Sequence, residues 1–362
     1  MRYINFGFIF LILGSIIGAG FASGKEIEVF FSSSGKLSYL IVVLSSIFLY
    51  FTLKNLIKLG KIAKTANIKE VNKLLFKKTS KFFDCFILIG LFIFLTAMIA
   101  GINSIGNIIF ENINFPILTI LSLFFAIFIV LNGFEAIKKV NLILMPIVVI
   151  FIIFVCVYGM IALNGQANNC ANINFVSVIK FLMLGSFYVC YNIVFSSSLI
   201  FEKSKDFNKK QIKNNSFLVT FIFGALALLV NIAIIKLNIS CDMPMLILAF
   251  NINQTIGYLF SLVLWFSVLT SLISSLYMLV NAFKISKFLS SCLFLTFSFI
   301  FSFFGFSKIV NLIYPFEGVI SLIFIIKVFV FNNNYERNKF CFKRKRSVIL
   351  AFYSKRGKKK QN

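Results

Sequence analysis

Apolar residues run along this chain in blocks of about 20, longer than the core face of a short water-soluble helix requires. Ten blocks stand out: 4–31, 37–59, 83–110, 115–133, 140–163, 174–201, 216–238, 254–283, 288–305 and 307–331. Blocks of this kind are suited to crossing the ~30 Å hydrocarbon layer of a bilayer as helices. The first and the last are interrupted, by a run of glycines and by Tyr314-Pro315 respectively. Between the second and third blocks, Ile68, Val71, Leu74 and Leu75 recur at helical spacing among lysines. That pattern predicts a short amphipathic helix lying on the membrane surface.

Composition supports lipid as the solvent. Of 362 residues, 60% are apolar and 13% charged, against roughly 45–50% and about 25% in soluble domains. The 50 Phe, with abundant Ile, Asn and Lys, match the codon usage of an AT-rich genome, so the Phe content is not read as a binding feature. A formal charge of +25 would suggest nucleic acid in a soluble chain. Here the basic residues flank apolar blocks and act as topology signals, so no nucleic-acid partner is expected. They concentrate in 54–81, 138–139, 202–214, 284–287 and the tail from 332, which carries Lys343-Arg344-Lys345-Arg346 and Lys358-Lys359-Lys360. With ten spans all of these fall on one side, which places both termini on the cytoplasmic side of the membrane. The tail either binds anionic lipid or serves topology alone. The first block lacks a cleavage site and is expected to be a retained helix.

There is no His, which removes the commonest proton relay and metal ligand. The 7 Cys show no metal-ligand spacing, and no nucleophile–base pair stands out. The chain is therefore expected not to be an enzyme and to hold no resident cofactor. Cys170 and Cys241 fall in loops assigned to the outer side, where a disulfide is chemically allowed.

Ten spans divide into five and five, and because five is odd the second set enters the membrane from the opposite face. The expected fold is an all-α membrane protein: a first five-helix repeat over 1–163, a second, inverted repeat over 174–331, and a basic cytoplasmic tail over 332–362. Short internal echoes fit this division. Leu13-Gly14-Ser15 returns as Leu184-Gly185-Ser186, and the stretch 139–146 returns as 308–315, both ending in Pro. Helices 1 and 6 are expected to be discontinuous, the second break lying at Gly185-Ser186; interrupted helices at matching places point to a transporter site.

In the first span, Gly14, Gly18, Gly20 and Gly24 lie within eleven residues with Ser15 and Ser23. Each Gly weakens a helix by roughly 1 kcal/mol relative to Ala. Either the helix opens at Gly18-Ala19-Gly20 or the small residues form a close-packing face. An opened turn offers N–H groups to a carboxylate and C=O groups to a cation. Glu26 and Glu28, which follow it, and Glu317 after Pro315 are candidates for a gate or for ion coupling. A plain surface position is equally open for the first two. Tyr188, Tyr191 and Asn192 supply either hydrogen bonds to a small ligand or bonds between helices. Hydroxyls in the eighth span bond their own backbone or complete a Na⁺ shell.

The stretch Gly18-Ala19-Gly20-Phe21-Ala22-Ser23-Gly24-Lys25-Glu26-Ile27, with Tyr191-Asn192 and Tyr314-Pro315, resembles the YkvI-type bacterial membrane proteins. These are similar to the amino acid–polyamine–organocation superfamily and its LeuT-like fold. The resemblance implies that backbone N–H groups at Gly18, Ala19 and Gly20 bind a substrate carboxylate. It also implies a Na⁺ held by the carbonyls of Gly14 and Ile17 and the hydroxyls of Thr270 and Ser271. Phe21 stands where sodium-coupled amino acid carriers often have a polar side chain, which leaves Na⁺ and H⁺ both open as coupling ion. The expected function is secondary active transport of a small solute, an amino acid or related zwitterion, by alternating access. The alternative is a non-transporting membrane sensor or scaffold that keeps the fold.

Overall fold

The computed structural model describes residues 4–109, 116–163, 175–239, 241–283 and 285–358, with side chains omitted at 175, 176 and 338–358. The first apolar block forms three short helices, α1 (Phe6–Ile16), α2 (Ala19–Ala22) and α3 (Lys25–Phe30). A 3₁₀ stretch, Ser32–Leu37, then leads into α4 (Ser38–Ala63). The amphipathic segment is α5 (Ile68–Phe76), capped by the Asn67 side chain and burying Ile68, Val71 and Leu75. It is followed by α6 (Ser80–Ile109), α7 (Ile117–Leu131) and α8 (Phe134–Ala162). The second half consists of α9 (Phe175–Phe195), α10 (Ser197–Ser204), α11 (Lys209–Leu237), α12 (Pro244–Ile252), α13 (Gln254–Asn281), α14 (Lys287–Ser302), α15 (Phe306–Lys308) and α16 (Tyr314–Lys358).

Apolar side chains face outward, toward lipid. Leu40, Leu44 and Ile47 on α4, Phe124 and Phe128 on α7, and Ile143, Ile150 and Ile161 on α8 are all exposed large apolar side chains. A soluble monomer rarely carries apolar surface on this scale. The interior meanwhile holds many fully buried hydroxyls and amides, among them Asn141, Asn231, Thr270 and Ser271. Seven helical stretches are long and apolar enough to cross a membrane, and Phe6–Ile16, Ile117–Leu131 and Lys287–Ser302 are shorter apolar helices. The chain is a multi-pass, all-helical membrane protein.

Helix α13 sits at the centre, packed on α6, α8, α7, α1 and α2. Around it, α1 packs on α8 as α9 packs on α16, and α6 packs on α14 as α13 packs on α7. Helix α12 was not expected from the sequence. It opens with Pro244, whose missing N–H costs nothing at a first helical position, and it docks on α13 and α8. At the other end, α15 passes into a π turn over Ile309–Ile313. The wider turn precedes Pro315, whose ring crowds the carbonyl four residues back, and Tyr314 emerges fully buried.

Helix α16 runs on without a break to Lys358, because residues 319–356 contain neither Gly nor Pro. Its early part docks on α4 through Asn332 Nδ2, 2.8 Å from the Asn55 carbonyl, and an ion pair of Lys58 with Glu336 at 2.8 Å.

Candidate functional site

Helical conformation stops at Ile16 and resumes at Ala19. Gly18 is extended, at φ −99 and ψ −156. Close approach explains the glycine, since an added Cβ would stand 2.8 Å from Ser271 Oγ and 3.1 Å from Met98 Sδ. A second turn at Gly24 has φ +84, a left-handed conformation that favours glycine, and there the chain bends into α3. Across the first interruption, Ile17 N–H still donates to Leu13 O and Ala22 N–H to Gly18 O. The carbonyls of Gly14 and Ile17 are thereby released to side chains.

Those side chains come from α13. Ser271 Oγ donates to Gly14 O at 2.8 Å, Thr270 Oγ1 lies 3.3 Å from the same oxygen, and Ser267 Oγ donates to Ile17 O at 2.7 Å. All three hydroxyl residues are fully buried. Spacings of three and four residues put them on one face of the helix. The structure thus brings Gly14, Ile17, Thr270 and Ser271 together and adds Ser267, which sequence reasoning did not single out. Its place three residues before Thr270 was the available signal.

The second interruption does not fall at Gly185-Ser186, which lie within α9. Ser186 Oγ is satisfied by Leu182 O at 2.9 Å, and Gly185 serves close packing: an added Cβ would meet Ser45 Oγ at 2.4 Å and Ile41 Cγ2 at 2.9 Å. Glycine there brings two helices together instead of opening one. Helices α9 and α10 are separated only at Ser196, which stays in the right-handed helical region at φ −92 and ψ −3 and keeps backbone bonds from its N–H to Asn192 O and from Ile200 N–H to its own carbonyl. Ser196 Oγ accepts from Ser15 Oγ at 2.9 Å and donates to Asn192 O at 2.8 Å. Two hydroxyls therefore join the neighbourhoods of the first interruption and of this junction.

The turn at Gly24 folds α3 back so that Glu26 faces α2. A Cβ on Gly20 would stand 2.2 Å from Glu26 Oε1. Glu26 is buried, and the hydroxyls of Tyr188 and Tyr191 lie beside its carboxylate. Glu26 Oε2 and the Tyr314 hydroxyl make no well-aligned hydrogen bond among the described residues, while the Tyr188 and Tyr191 hydroxyls stay within interaction range of the Glu26 carboxylate and of Asn192. The rings form a contiguous wall: Tyr188 and Tyr191 at 5.6 Å edge to face, Tyr191 and Tyr314 at 4.9 Å, and Phe30 against both Tyr188 and Tyr191. Asn192 Nδ2 is taken by Tyr188 O at 3.0 Å.

The other acidic candidates separate. Glu28 pairs with Lys25 at 3.0 Å, and Lys25 also donates to Cys241 O at 3.1 Å, tying α3 to the approach of α12. Met245 N–H donates to Ser23 O at 2.8 Å in the same region. Glu317 is buried, with neither carboxylate oxygen partnered among the described residues, and Gly90 is the glycine beside it. Cys241 is a free thiol pushed above its ordinary range by burial; Cys170 lies outside the described residues.

Solved structures share the all-helical fold built around this interrupted first helix. MhsT in complex with L-phenylalanine superposes with a TM-score of 0.66 at 16% identity, covering 88% of each chain. The manganese transporter of Eremococcus coleocola gives 0.59 at 14% identity over 89% of this chain and 78% of that one. Mhp1, a nucleobase-cation-symport-1 family transporter with bromovinylhydantoin bound, gives 0.54 at 12% over 85% and 74%. In sequence, the chain is similar to the uncharacterised membrane protein YkvI of Bacillus subtilis (strain 168), 23% identical over 335 residues, 87% of this chain and 92% of that protein. No family model matches.

Proposed function

We propose that the protein is a secondary active transporter of a small amine-bearing solute, an amino acid or a related molecule, that works by alternating access and is driven by Na⁺. The observation that carries this is the meeting of the Gly14 and Ile17 carbonyls with the hydroxyls of Ser267, Thr270 and Ser271. Oxygen ligands of this kind suit a hard cation, and carbonyls freed at a broken helix are where such carriers hold their coupling ion.

In this reading the three shorter apolar helices span the membrane together with the seven long ones, giving ten spans with both termini in the cytoplasm. The paired contacts of α1 with α8 and α9 with α16 support two inverted five-helix units. The solute sits where α2, α3 and α9 meet, near Gly18, Ala19, Gly20, Tyr188, Tyr191 and Asn192. α1–α3 and α9–α10 tilt with α4 and α11 against the remainder to expose it to either side.

H⁺ coupling is the second reading, favoured by the buried carboxylates of Glu26 and Glu317, the latter with neither oxygen partnered among the described residues; an ionisable group in this setting is normally functional. Purified protein in proteoliposomes, given imposed Na⁺ or H⁺ gradients and a panel of amino acids and amines, tests both. Accumulation driven by the Na⁺ gradient supports the proposal, and accumulation driven only by H⁺ selects the second reading. Absence of gradient-driven uptake with every solute would leave the sensor or scaffold.

A further inference from the structure

The site holds a feature that a carboxylate-binding pocket would not want. The carboxylate of Glu26 already lies against Gly20, on the face of α2 where a substrate carboxylate was expected. Lys25, the adjacent cation, is committed to Glu28 and to Cys241 O. No Lys or Arg is paired with Glu26 among the described residues. What surrounds it is aromatic: Tyr188 and Tyr191 at the carboxylate, with Phe30 packed on both of their rings and Tyr314 on that of Tyr191. Phe31 packs edge-on to Tyr188 at 5.2 Å, and Phe223 lies 6.0 Å from it.

Three kinds of ligand can be weighed against this set. A divalent metal ion needs several anionic or imidazole ligands, and no group of three His, Cys, Asp or Glu side chains occurs among the described residues. An anion meets Glu26 head-on in a water-poor setting where like charge is costly. An organic ammonium finds a carboxylate for its charge, π faces for its positive surface and acceptor lone pairs on three tyrosine hydroxyls for its N–H groups. It also relieves the burial of a carboxylate that has only tyrosine hydroxyls beside it and one oxygen, Oε2, without a well-aligned hydrogen bond among the described residues, a costly setting in a membrane interior.

We propose that Glu26, walled by Tyr188, Tyr191, Tyr314 and Phe30, is an ammonium-recognition subsite, so that the solute is an organic amine whose own carboxylate is dispensable. This rests on the reading of the same region as a transport site and names the solute class for it. The amine enters as its cation, the ion pair with Glu26 forms as the rings close, and no covalent step is involved.

Two matched probe series test it on the purified full chain. One is phenethylammonium, phenylalanine and 3-phenylpropionate; the other is isopentylammonium, leucine and 4-methylpentanoate. Binding is read by isothermal calorimetry and by thermal stabilisation. The amine should bind at least about tenfold more tightly than the acid of its series, a difference of about 1.4 kcal/mol. Glu26→Gln should remove that preference and weaken the amine by a similar factor, whereas Glu26→Asp, which keeps the charge, should retain the preference. Wild-type selectivity alone decides the matter if Glu26→Gln does not fold. Acid or amino acid binding as tightly as the amine, or amine binding indifferent to Glu26→Gln, overturns the subsite and leaves transport standing. Binding of no probe overturns the subsite too. Amine binding without gradient-driven uptake upholds the subsite and removes the transport reading.

Discussion

The hydroxyl of Ser271 donates to the carbonyl of Gly14 at 2.8 Å, joining residues 257 positions apart at the interruption of the first helix. Neither group is bonded there by its own helix, so the contact belongs to the junction of α1 and α13. On the proposed Na⁺ coupling, removing the hydroxyl acts on ion binding before it acts on folding. Ser271→Ala should raise the Na⁺ concentration for half-maximal uptake several-fold, and Thr270→Ala with Ser271→Ala should abolish the Na⁺ dependence. The accompanying loss of stability is about 1 kcal/mol for each hydrogen bond. Uptake measured across a Na⁺ series, alongside thermal unfolding in detergent, separates the two effects. Unchanged Na⁺ dependence in the double variant refutes the cation site.

Gly14 is a packing position as well as a ligand candidate. An added Cβ would fall 1.7 Å from Asn141 Oδ1, and Asn141 is fully buried. Gly14→Ala should lower stability by about 1–3 kcal/mol through overpacking. The Asn141 Oδ1 has no partner among the described residues, so Asn141→Ala in the Gly14→Ala background should recover part of the loss. A double-mutant cycle of unfolding temperatures reads the coupling. Strictly additive effects would show that the two side chains do not compete for that space.

Cys241 reports on the outer closure. A variant keeping only this cysteine should react with a membrane-impermeant maleimide added outside intact cells. Burial raises its thiol and thiolate is the reactive form, so labelling should be slow near neutral pH and quicken as the pH rises. Lys25→Met releases the bond to Cys241 O and should speed labelling several-fold. Labelling only in inside-out vesicles would invert the proposed orientation.

The tail and the first-helix interruption separate transport from scaffolding. Removing 338–362 should leave gradient-driven uptake within about twofold, because a solvated basic extension contributes little to folding. Gly20→Leu should abolish uptake, since even a Cβ at that position meets the Glu26 carboxylate. The reverse pattern favours a sensor that speaks through its tail.

The spans were legible because a bilayer demands long apolar runs, and Ile68, Val71 and Leu75 betrayed α5 by their spacing. Helix α12, only nine residues long, falls below any span threshold and announced itself solely through Pro244. The second interruption was sought at glycines, but Gly185 turned out to admit α4, while Ser196 marks the junction of α9 and α10 with hydroxyl chemistry that resembles many other serines. Ser267 was hidden among a run of hydroxyls whose facing partners only the fold supplies. The inward turn of Glu26 depends on the positive φ at Gly24, a direction no spacing encodes. Glycines were read correctly as special and only in part for the right reason.

The 2.9 Å contact of Ser15 with Ser196 sets the two helix junctions side by side, each hydroxyl also lying on a carbonyl of its own helix, at Ile12 and Asn192. On the proposed alternating access, a tilt that begins at either junction has to carry its neighbour along or part the two hydroxyls.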